Sequence, residues 1–242
     1  DGTILRLQNG FAGSFDIIRM ASGADNVTIE SLQINGNRSN QTGDQTAIDV
    51  SATSSRINAV TIHDMSGVGV IFQSTASDVI LANSLIQLTE LSGITVNVTN
   101  DITITNNIIR SAGTGGAHGV HVSGNNGRIT FADNVIDGVG DIGFYVPSLL
   151  EDSVIIGNRI ENAVGHGIRG NIEDSTLSNN YVGSNGSIGI YVESSGNTIT
   201  GNIIESNTSA GIQLTAGNNI VSDNNINDNG GDGITLSAAD NN

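Results

Sequence analysis

Histidine, tyrosine and arginine recur at one position of a short repeat in the second half of the chain. His121, Tyr145 and Arg169 each stand two residues after a glycine, and Tyr191 and Gln213 occupy the same position in the next two repeats. Proton abstraction beside a carboxylate needs a base, a proton donor and a cation that neutralises the carboxylate. His121 could serve as the base, Tyr145 or Tyr191 as the donor, and Arg169 as the cation.

The same residues also suit carbohydrate binding without chemistry. His118 and His166 stand directly before two of the repeated glycines, so they begin the same strands and join Tyr191 and Gln213 as candidate substrate-binding residues. Aromatic rings can stack on sugars, and an arginine can hold an acidic group. A third interpretation is that these residues decorate an exposed sheet, where aromatic side chains pack well across strands.

The glycines define the repeat that must position these side chains. Gly167, Gly189, Gly211 and Gly233 are each 22 residues apart, and glycines further upstream continue the pattern at intervals of 24 to 26 residues. Units of this length cannot close a core alone and must stack on their neighbours. Each unit contains three short strands with period-2 alternation, which leaves no room for helices.

The repeat predicts an all-β fold, a single-stranded right-handed parallel β-helix of about ten coils, each of about 22–27 residues. It spans residues 1–242 as one domain, and we expect further coils in a longer parent chain. Within Gly-Ile-x-Val, Ile and Val point inward and x points outward, with x residues of neighbouring coils about 5 Å apart. This outward row is predicted to run in the order Arg19, Asp49, Ile71, Thr95, His121, Tyr145, Arg169, Tyr191, Gln213 and Thr235.

Asparagine recurs between the second and third strands of the coils. The positions are Asn107, Asn134, Asn158, Asn180, Asn202 and Asn224. Asparagine tolerates a left-handed backbone at a tight bend, and stacked amides can bond from coil to coil. The constancy of the residue type favours a structural, inward ladder over metal or sugar binding.

Two further interpretations concern the upstream coils and the loops. Val60 and Ile62 alternate like a second strand, which would make His63 a packing residue of that strand. The segments 35–46, 110–117 and 147–153 are longer than their counterparts elsewhere. Extra loop length on one side of a solenoid usually builds the walls of a binding surface.

The composition restricts the partners. The net charge is −16, all eight basic residues are arginine, and there is no cysteine. This balance disfavours nucleic acid and anionic membranes as partners, and no apolar run is long enough to span a bilayer. No metal site is assigned, although acidic corners could bind Ca²⁺ if they converge. Those corners are Asp78, Asp101, Glu151–Asp152 and Glu173–Asp174.

Two sequence segments resemble a known protein family. Leu-Gln-Ile-Asn-Gly-Asn-Arg at 32–38 and Met-Ser-Gly-Val-Gly at 65–69 resemble the right-handed β-helix of pectate-lyase-like proteins. The nearest likeness is to the catalytic module of secreted mannuronan C5-epimerases, which implies a polysaccharide-facing groove along the first sheet. That family follows Met-Ser-Gly with Tyr-Gly-Phe-Asp-Pro-His, whereas this chain has Val68–Gln73. The family's Arg-His pair corresponds to Ala117 and His118, and the resemblance therefore implies no epimerase activity through the family's own residues.

Two classes of function follow. The first is a secreted or cell-surface β-helix that binds or modifies a polysaccharide through the first-sheet groove, with uronate-containing glycans as one ligand class. If this chain is an enzyme, the resemblance implies a lyase or a C5-epimerase. The second is a non-catalytic structural β-helix, such as a surface stalk or adhesin segment, whose coils only set its length.

Overall fold

The chain winds through repeated coils of three short strands, each strand pairing in parallel with its equivalents in the coils on either side. This computed structural model describes residues 3–10 and 12–237. The predicted parallel β-helix is confirmed, with about nine turns rather than about ten. In the described ranges the only helical element is a single 3-10 turn, η1 (Arg38–Asn40).

The first strand of each coil forms a column that carries the outward row. Its members are β2 (Phe15–Met20), β5 (Gln45–Val50), β8 (Val70–Phe72), β11 (Ile94–Asn97), β14 (Val120–Ser123), β17 (Phe144–Glu151), β20 (Ile168–Glu173), β23 (Ile190–Val192), β26 (Ile212–Leu214) and β29 (Ile234–Leu236).

The second strands form a column that the long strand β17 joins to the first. They are β3 (Thr28–Glu30), β6 (Thr53–Asn58), β9 (Ser77–Ala82), β12 (Asn100–Thr105), β15 (Asn126–Ala132), β18 (Val154–Ile156), β21 (Thr176–Ser178), β24 (Thr198–Thr200) and β27 (Ile220–Ser222).

The third strands form a separate ten-stranded sheet. They are β1 (Thr3–Arg6), β4 (Leu32–Asn35), β7 (Thr61–Met65), β10 (Leu85–Thr89), β13 (Ile108–Arg110), β16 (Val135–Asp137), β19 (Arg159–Glu161), β22 (Tyr181–Gly183), β25 (Ile203–Glu205) and β28 (Asn225–Asn227).

The core is a stack of aliphatic and phenylalanine side chains from all three columns. In the first column the residues on either side of each outward x residue are almost all fully buried, as Ile190 and Val192 are around Tyr191. Burying one such side chain contributes roughly 1.5–3 kcal/mol relative to leaving it exposed. Because the side chains alternate, burial of Ile and Val fixes x on the outside.

The repeated glycine is required by close packing at the corner before the first column. A Cβ added to Gly189 would lie 2.6 Å from Cγ2 of Ile204 and 2.7 Å from the carbonyl oxygen of Gly211. Neither the core isoleucine nor the backbone of the next coil can move aside cheaply. The 22-residue spacing of the glycines therefore marks where the third strand of a coil packs against the start of the first strand of the same coil.

The predicted asparagine ladder is confirmed as an inward structure. The amide of Asn158 donates to Asn180 Oδ1 at 3.0 Å and accepts from the Asn134 backbone N–H at 2.9 Å, and the same contacts repeat along the column. The left-handed residue, however, is the one before each ladder position, such as Asn179 with φ 54°. The expectation that the ladder asparagine itself takes the left-handed bend was wrong, because its side chain is needed inside.

Two upstream assignments also need correction. Val60 and Ile62 do not form a second strand, since β7 pairs with β4 and β10 in the third column. His63 therefore lies on the third sheet, where its Nε2 is 2.8 Å from Gln33 Nε2 and its Nδ1 is 2.8 Å from Asp64 Oδ2. Residues 147–153 lie mostly within β17, whose pairing with β20 shifts register between Val146 and Leu149.

Candidate functional site

The outward row of the first column is in the predicted register throughout. His121 pairs with Tyr145, Tyr145 with Arg169, Arg169 with Tyr191, and Tyr191 with Gln213. Gln213 in turn pairs with Thr235 in β29. All of these side chains are half-buried rather than fully exposed, because neighbours in the row cover one another. The alignment brings five of the candidate residues onto one continuous surface.

Three rings meet at the upstream end of this surface. The His121 and Tyr145 rings stack with centroids 5.6 Å apart and planes inclined by 15°. His118, two residues before the start of β14, places its ring 4.5 Å from Tyr145 and 5.3 Å from His121. The predicted neighbourhood of His118, His121 and Tyr145 is therefore a single aromatic cluster.

The downstream end combines a cation with two rings. The Arg169 guanidinium carbon lies 5.2 Å from the centroid of the Tyr191 ring, and His166 lies 5.7 Å from the same ring in an edge-on arrangement. Arg169 Nη2 is also 3.2 Å from Glu193 Oε1, a carboxylate that is 21% exposed. We call the set His118, His121, Tyr145, His166, Arg169 and Tyr191 the His–Tyr–Arg patch.

Two of the histidines are locked by the backbone of the following coil. The Ile142 N–H donates to His118 Nδ1 at 3.4 Å, and the Ile188 N–H donates to His166 Nδ1 at 3.2 Å. A nitrogen that accepts a hydrogen bond is unprotonated, so each neutral ring carries its proton on Nε2. His118 and His166 therefore offer a hydrogen-bond donor to a ligand rather than a base.

Burial keeps these rings neutral. Burial lowers the pKa of His118 to about 4. The negative charge of Asp141 acts to raise this pKa, and His121 lowers it slightly further. Burial also lowers the pKa of His121, and it lowers the pKa of His166 together with the charge of Arg169. Asp141 Oδ2 is 3.5 Å from His118 Nδ1, but this contact is no ion pair at neutral pH because the ring is uncharged. His121 has no hydrogen-bond partner for its ring within residues 3–10 and 12–237, so its unprotonated nitrogen is available.

A second outward row, missed by the sequence reasoning, runs beside the first. Ser123 Oγ donates to Asn97 Oδ1, Asn97 Nδ2 lies 3.5 Å from Gln73 Oε1, and Gln73 Nε2 donates to Asp49 Oδ2 at 2.6 Å. The chain ends on the buried carboxylate of Asp49. The available signal was the polar residue two positions after x in these coils. This hydrogen-bonded chain leads from the His–Tyr–Arg patch toward the upstream coils.

A hollow of about 440 Å³ lies at the upstream end of that chain. It is lined by Arg19, Ala21, Ser22, Asp49, Ser51, Gln73, Ser74 and Thr75. Arg19 is already bound to Asp16, at 2.5 Å. The positions at which the resemblance places a catalytic Asp and His are Ile71, half-buried in the outward row, and Gln73. Neither residue can transfer a proton at neutral pH.

The acidic corners have a conformational explanation. Asp78, Asp101, Asp152 and Asp174 all have positive φ at or just before the start of the second strand, a conformation that aspartate tolerates better than most residues. Arg128 occupies the same position in an intervening coil and binds Asp101 through two contacts of 2.7 and 2.8 Å. In the part of the chain that the structure describes, no three His, Cys, Asp or Glu side chains converge in a way that could hold a metal ion.

Comparison with known families decides the classification. A family model described as "Right handed beta helix region" matches residues 17–148 and, overlapping, residues 118–242. The chain belongs to this family. The predicted right-handed sense of the coils and the resemblance to right-handed β-helix proteins are thereby confirmed.

Solved structures share this fold at low sequence identity. The A-module of the Azotobacter vinelandii mannuronan C-5 epimerase AlgE4 matches with a TM-score of 0.67 and 17% identity, over 97% of this chain and 79% of that module. A double mutant of the periplasmic alginate epimerase AlgG matches with a TM-score of 0.70 and 15% identity, over 98% and 61% of the two chains. The Dettilon tailspike protein matches with a TM-score of 0.61 and 15% identity, over 97% and 61%.

Other comparisons add less. The search of curated proteins finds no match. Among the described residues, no helix has both the length and the apolar character needed to cross a membrane. The similar structures thus establish the fold, and the role of the first-column face must be argued from its own residues.

Proposed function

We propose that this β-helix binds a polysaccharide along the outward face of its first column, as a secreted or cell-surface protein. The observation that carries the proposal is the His–Tyr–Arg patch, in which five aromatic rings and one guanidinium form a continuous surface over coils that are adjacent in space. Half-buried aromatic rings beside a few fixed polar groups are the usual composition of a site that binds an apolar-faced, hydroxyl-rich ligand.

The geometry suits a chain rather than a single sugar. From His121 to Tyr191 the patch crosses three coil-to-coil steps of about 4.8 Å, or about 15 Å along the helix axis. The second outward row continues the same face with amide and hydroxyl groups. An oligosaccharide that lies parallel to the axis could therefore contact rings downstream and hydrogen-bonding side chains upstream.

The polysaccharide-related fold neighbours support this proposal only in a general way. The alginate epimerases act on a polysaccharide, and one tailspike of the same fold is a capsular polysaccharide depolymerase. A secreted location fits the periplasmic placement of AlgG, which its own name states. A uronate ligand would use Arg169, whose contact with Glu193 would then have to open.

A catalytic role is the second candidate, and one observation favours it. His121 is neutral, has a free ring nitrogen and stacks on Tyr145, so a base and a proton donor stand side by side. Arg169 would supply the cation for a carboxylate. A purely structural role, as a stalk or adhesin segment, is the remaining alternative and predicts no glycan binding at all.

A polysaccharide array with the parent protein and single variants tests the proposal. Tyr145→Ala and Tyr191→Ala should weaken the strongest interaction at least about tenfold, since each removes a ring from the patch. Tyr181 provides a matched control, because it lies on the third sheet under Arg159 and leaves the first-column face unchanged. Tyr181→Ala should bind as the parent does.

The outcomes separate the candidates. Equal binding by all three variants would place the contact on another face, and no binding to any glycan would favour the structural alternative. The bound glycans are also incubated with the protein and analysed by NMR for unsaturated or epimerised products. Their appearance in the parent, and loss in His121→Ala, would establish the catalytic candidate. Repeating the binding with a chelator tests whether Ca²⁺ takes part.

A further inference from the structure

We infer that the ligand of the first-column face is an uncharged, hydroxyl-rich glycan rather than a uronate polymer. The inference rests on the proposed function and adds the substrate class. It is carried by the charges and hydrogen bonds of the face itself, which differ from what binding of a polyanion requires.

Both arginines of the outward row are already neutralised. Arg19 is bound to Asp16 at 2.5 Å, and Arg169 is bound to Glu193 at 3.2 Å. A carboxylate on a ligand would have to displace a carboxylate of the protein, which returns little free energy because one ion pair replaces another. Within the described residues, no unpaired cation remains along this row.

The histidines of the patch do not replace the missing charge. Burial lowers the pKa values of His118, His121 and His166, so all three rings are neutral at pH 7. Two further carboxylates, Asp141 and Asp49, lie on or beside the face without an ion pair to an arginine, although the charge of Asp49 also acts on Arg19, which is bound to Asp16. Asp141, at the His118 end, is 43% exposed, and Asp49 accepts from an amide in the second outward row. A polyanion on this face would meet net negative charge, as it would over most of a chain with a net charge of −16.

The second outward row instead matches hydroxyl groups. Ser123, Asn97 and Gln73 follow one another toward the Asp49 carboxylate, so each amide is held in one orientation. An amide group has two N–H donors and a carbonyl with two acceptor sites, and these contacts use only part of that capacity. Groups that both donate and accept, in fixed positions, are complementary to sugar hydroxyls, which also do both.

Two sets of size-matched hexasaccharides test the inference by isothermal titration calorimetry. The neutral set contains hexamers of glucose, mannose, galactose and N-acetylglucosamine, and the uronate set contains hexamers of mannuronate, guluronate and galacturonate. We expect the parent to bind a member of the neutral set at least about tenfold more tightly than any uronate. Its Kd should change less than about twofold between low and high salt, because no counter-ions are exchanged.

A single variant provides the matched control. Glu193→Gln releases Arg169 with almost no change in side-chain shape, so it should gain uronate affinity of about fivefold or more, and that gain should fall with added salt. A parent protein that prefers uronates, or a Glu193→Gln protein whose uronate affinity is unchanged, would overturn the inference while leaving polysaccharide binding intact. Failure of the parent to bind either set would overturn the proposed function, and this inference with it.

Discussion

Removal of one amide from the asparagine ladder should destabilise the protein by several kcal/mol. The Asn158 side chain donates to the Phe131 carbonyl at 2.8 Å and to Asn180 Oδ1 at 3.0 Å. It accepts from the backbone N–H of Asn134 at 2.9 Å and from the Asn134 side-chain amide at 3.1 Å. Asn158 is 1% exposed, so Asn158→Ala breaks all four contacts in the interior.

The magnitude follows from what each partner retains. Asn180 Oδ1 still accepts the Asn158 backbone N–H, and Asn134 Nδ2 still donates to Ile104. The Asn134 backbone N–H is left without its acceptor, at a cost of about 1–3 kcal/mol, and the other lost bonds cost about 0.5–1.5 kcal/mol each. The total is about 2.5–7.5 kcal/mol, a large share of the stability of a domain.

Urea denaturation followed by circular dichroism measures this loss. Asn171→Ala is the control, because the Asn171 amide lies on the outer face and makes one bond to the Pro147 carbonyl. The control should change the free energy of unfolding by less than about 0.5 kcal/mol. A loss below about 1 kcal/mol in Asn158→Ala would refute the argument that the ladder is a fully used set of buried hydrogen bonds.

Three further predictions concern pH, packing and activity. Burial lowers the pKa of His118 from 6.5 in the unfolded chain to about 4 in the native protein. The neutral ring therefore contributes up to about 3 kcal/mol to the free energy of unfolding. This contribution is complete above pH 6.5 and is lost as the pH falls toward 4. The difference between urea melts at pH 7 and pH 4.5 should therefore shrink in His118→Gln, and an unchanged difference would contradict it. Gly189→Ala should cost about 1–3 kcal/mol of stability by overpacking, whereas Gly233→Ala should cost little, because its new Cβ would lie 3.8 Å from Ile226 Cγ2; equal thermal melts of the two variants would argue against the corner contact. Proton NMR of alginate incubated with the protein should show little or no epimerisation, because Val68–Gln73 replaces the family's Tyr, Asp and His, and a clear rise in guluronate signals would disprove this.

The sequence was sufficient for the features that recur with every coil. The regular spacing of the glycines predicted that His121, Tyr145, Arg169 and Tyr191 pair in register on neighbouring coils, because each glycine marks the same tight contact with the core. The Asn107 to Asn224 ladder could be predicted for a similar reason, since an inward amide has to find the same partners in each coil. Features enforced by stacking leave a periodic signal.

Other features left a weaker signal. Strand β6 reads Thr-Ser-Ser-Arg-Ile-Asn, and its low hydrophobicity led to the assignment of Val60 and Ile62 in its place. Inward Ser55 is tolerated because its hydroxyl donates to the Thr53 carbonyl and accepts from the Val27 N–H. A second ladder, through Asn185, Asn207 and Asn229, was overlooked although it has the 22-residue spacing.

The chemistry of the His–Tyr–Arg patch depends on side-chain contacts that the spacing of residues in the sequence does not predict. Arg169 was expected to be free for a ligand, but Glu193, two positions after Tyr191, binds it from the neighbouring coil. The neutral state and the tautomer of His118 and His166 depend on burial and on backbone N–H groups of the next coil. Such details are set by side-chain orientation, so a linear pattern can identify the residues of a site before it can identify their roles.

A crystal structure of the protein with its strongest-binding oligosaccharide tests the central claim most directly. We predict sugar rings on the first-column face, parallel to the helix axis, in contact with Tyr145 and Tyr191 and with at least one amide of the second outward row. Density for the oligosaccharide on the second or third column, with the His–Tyr–Arg patch empty, would contradict the account.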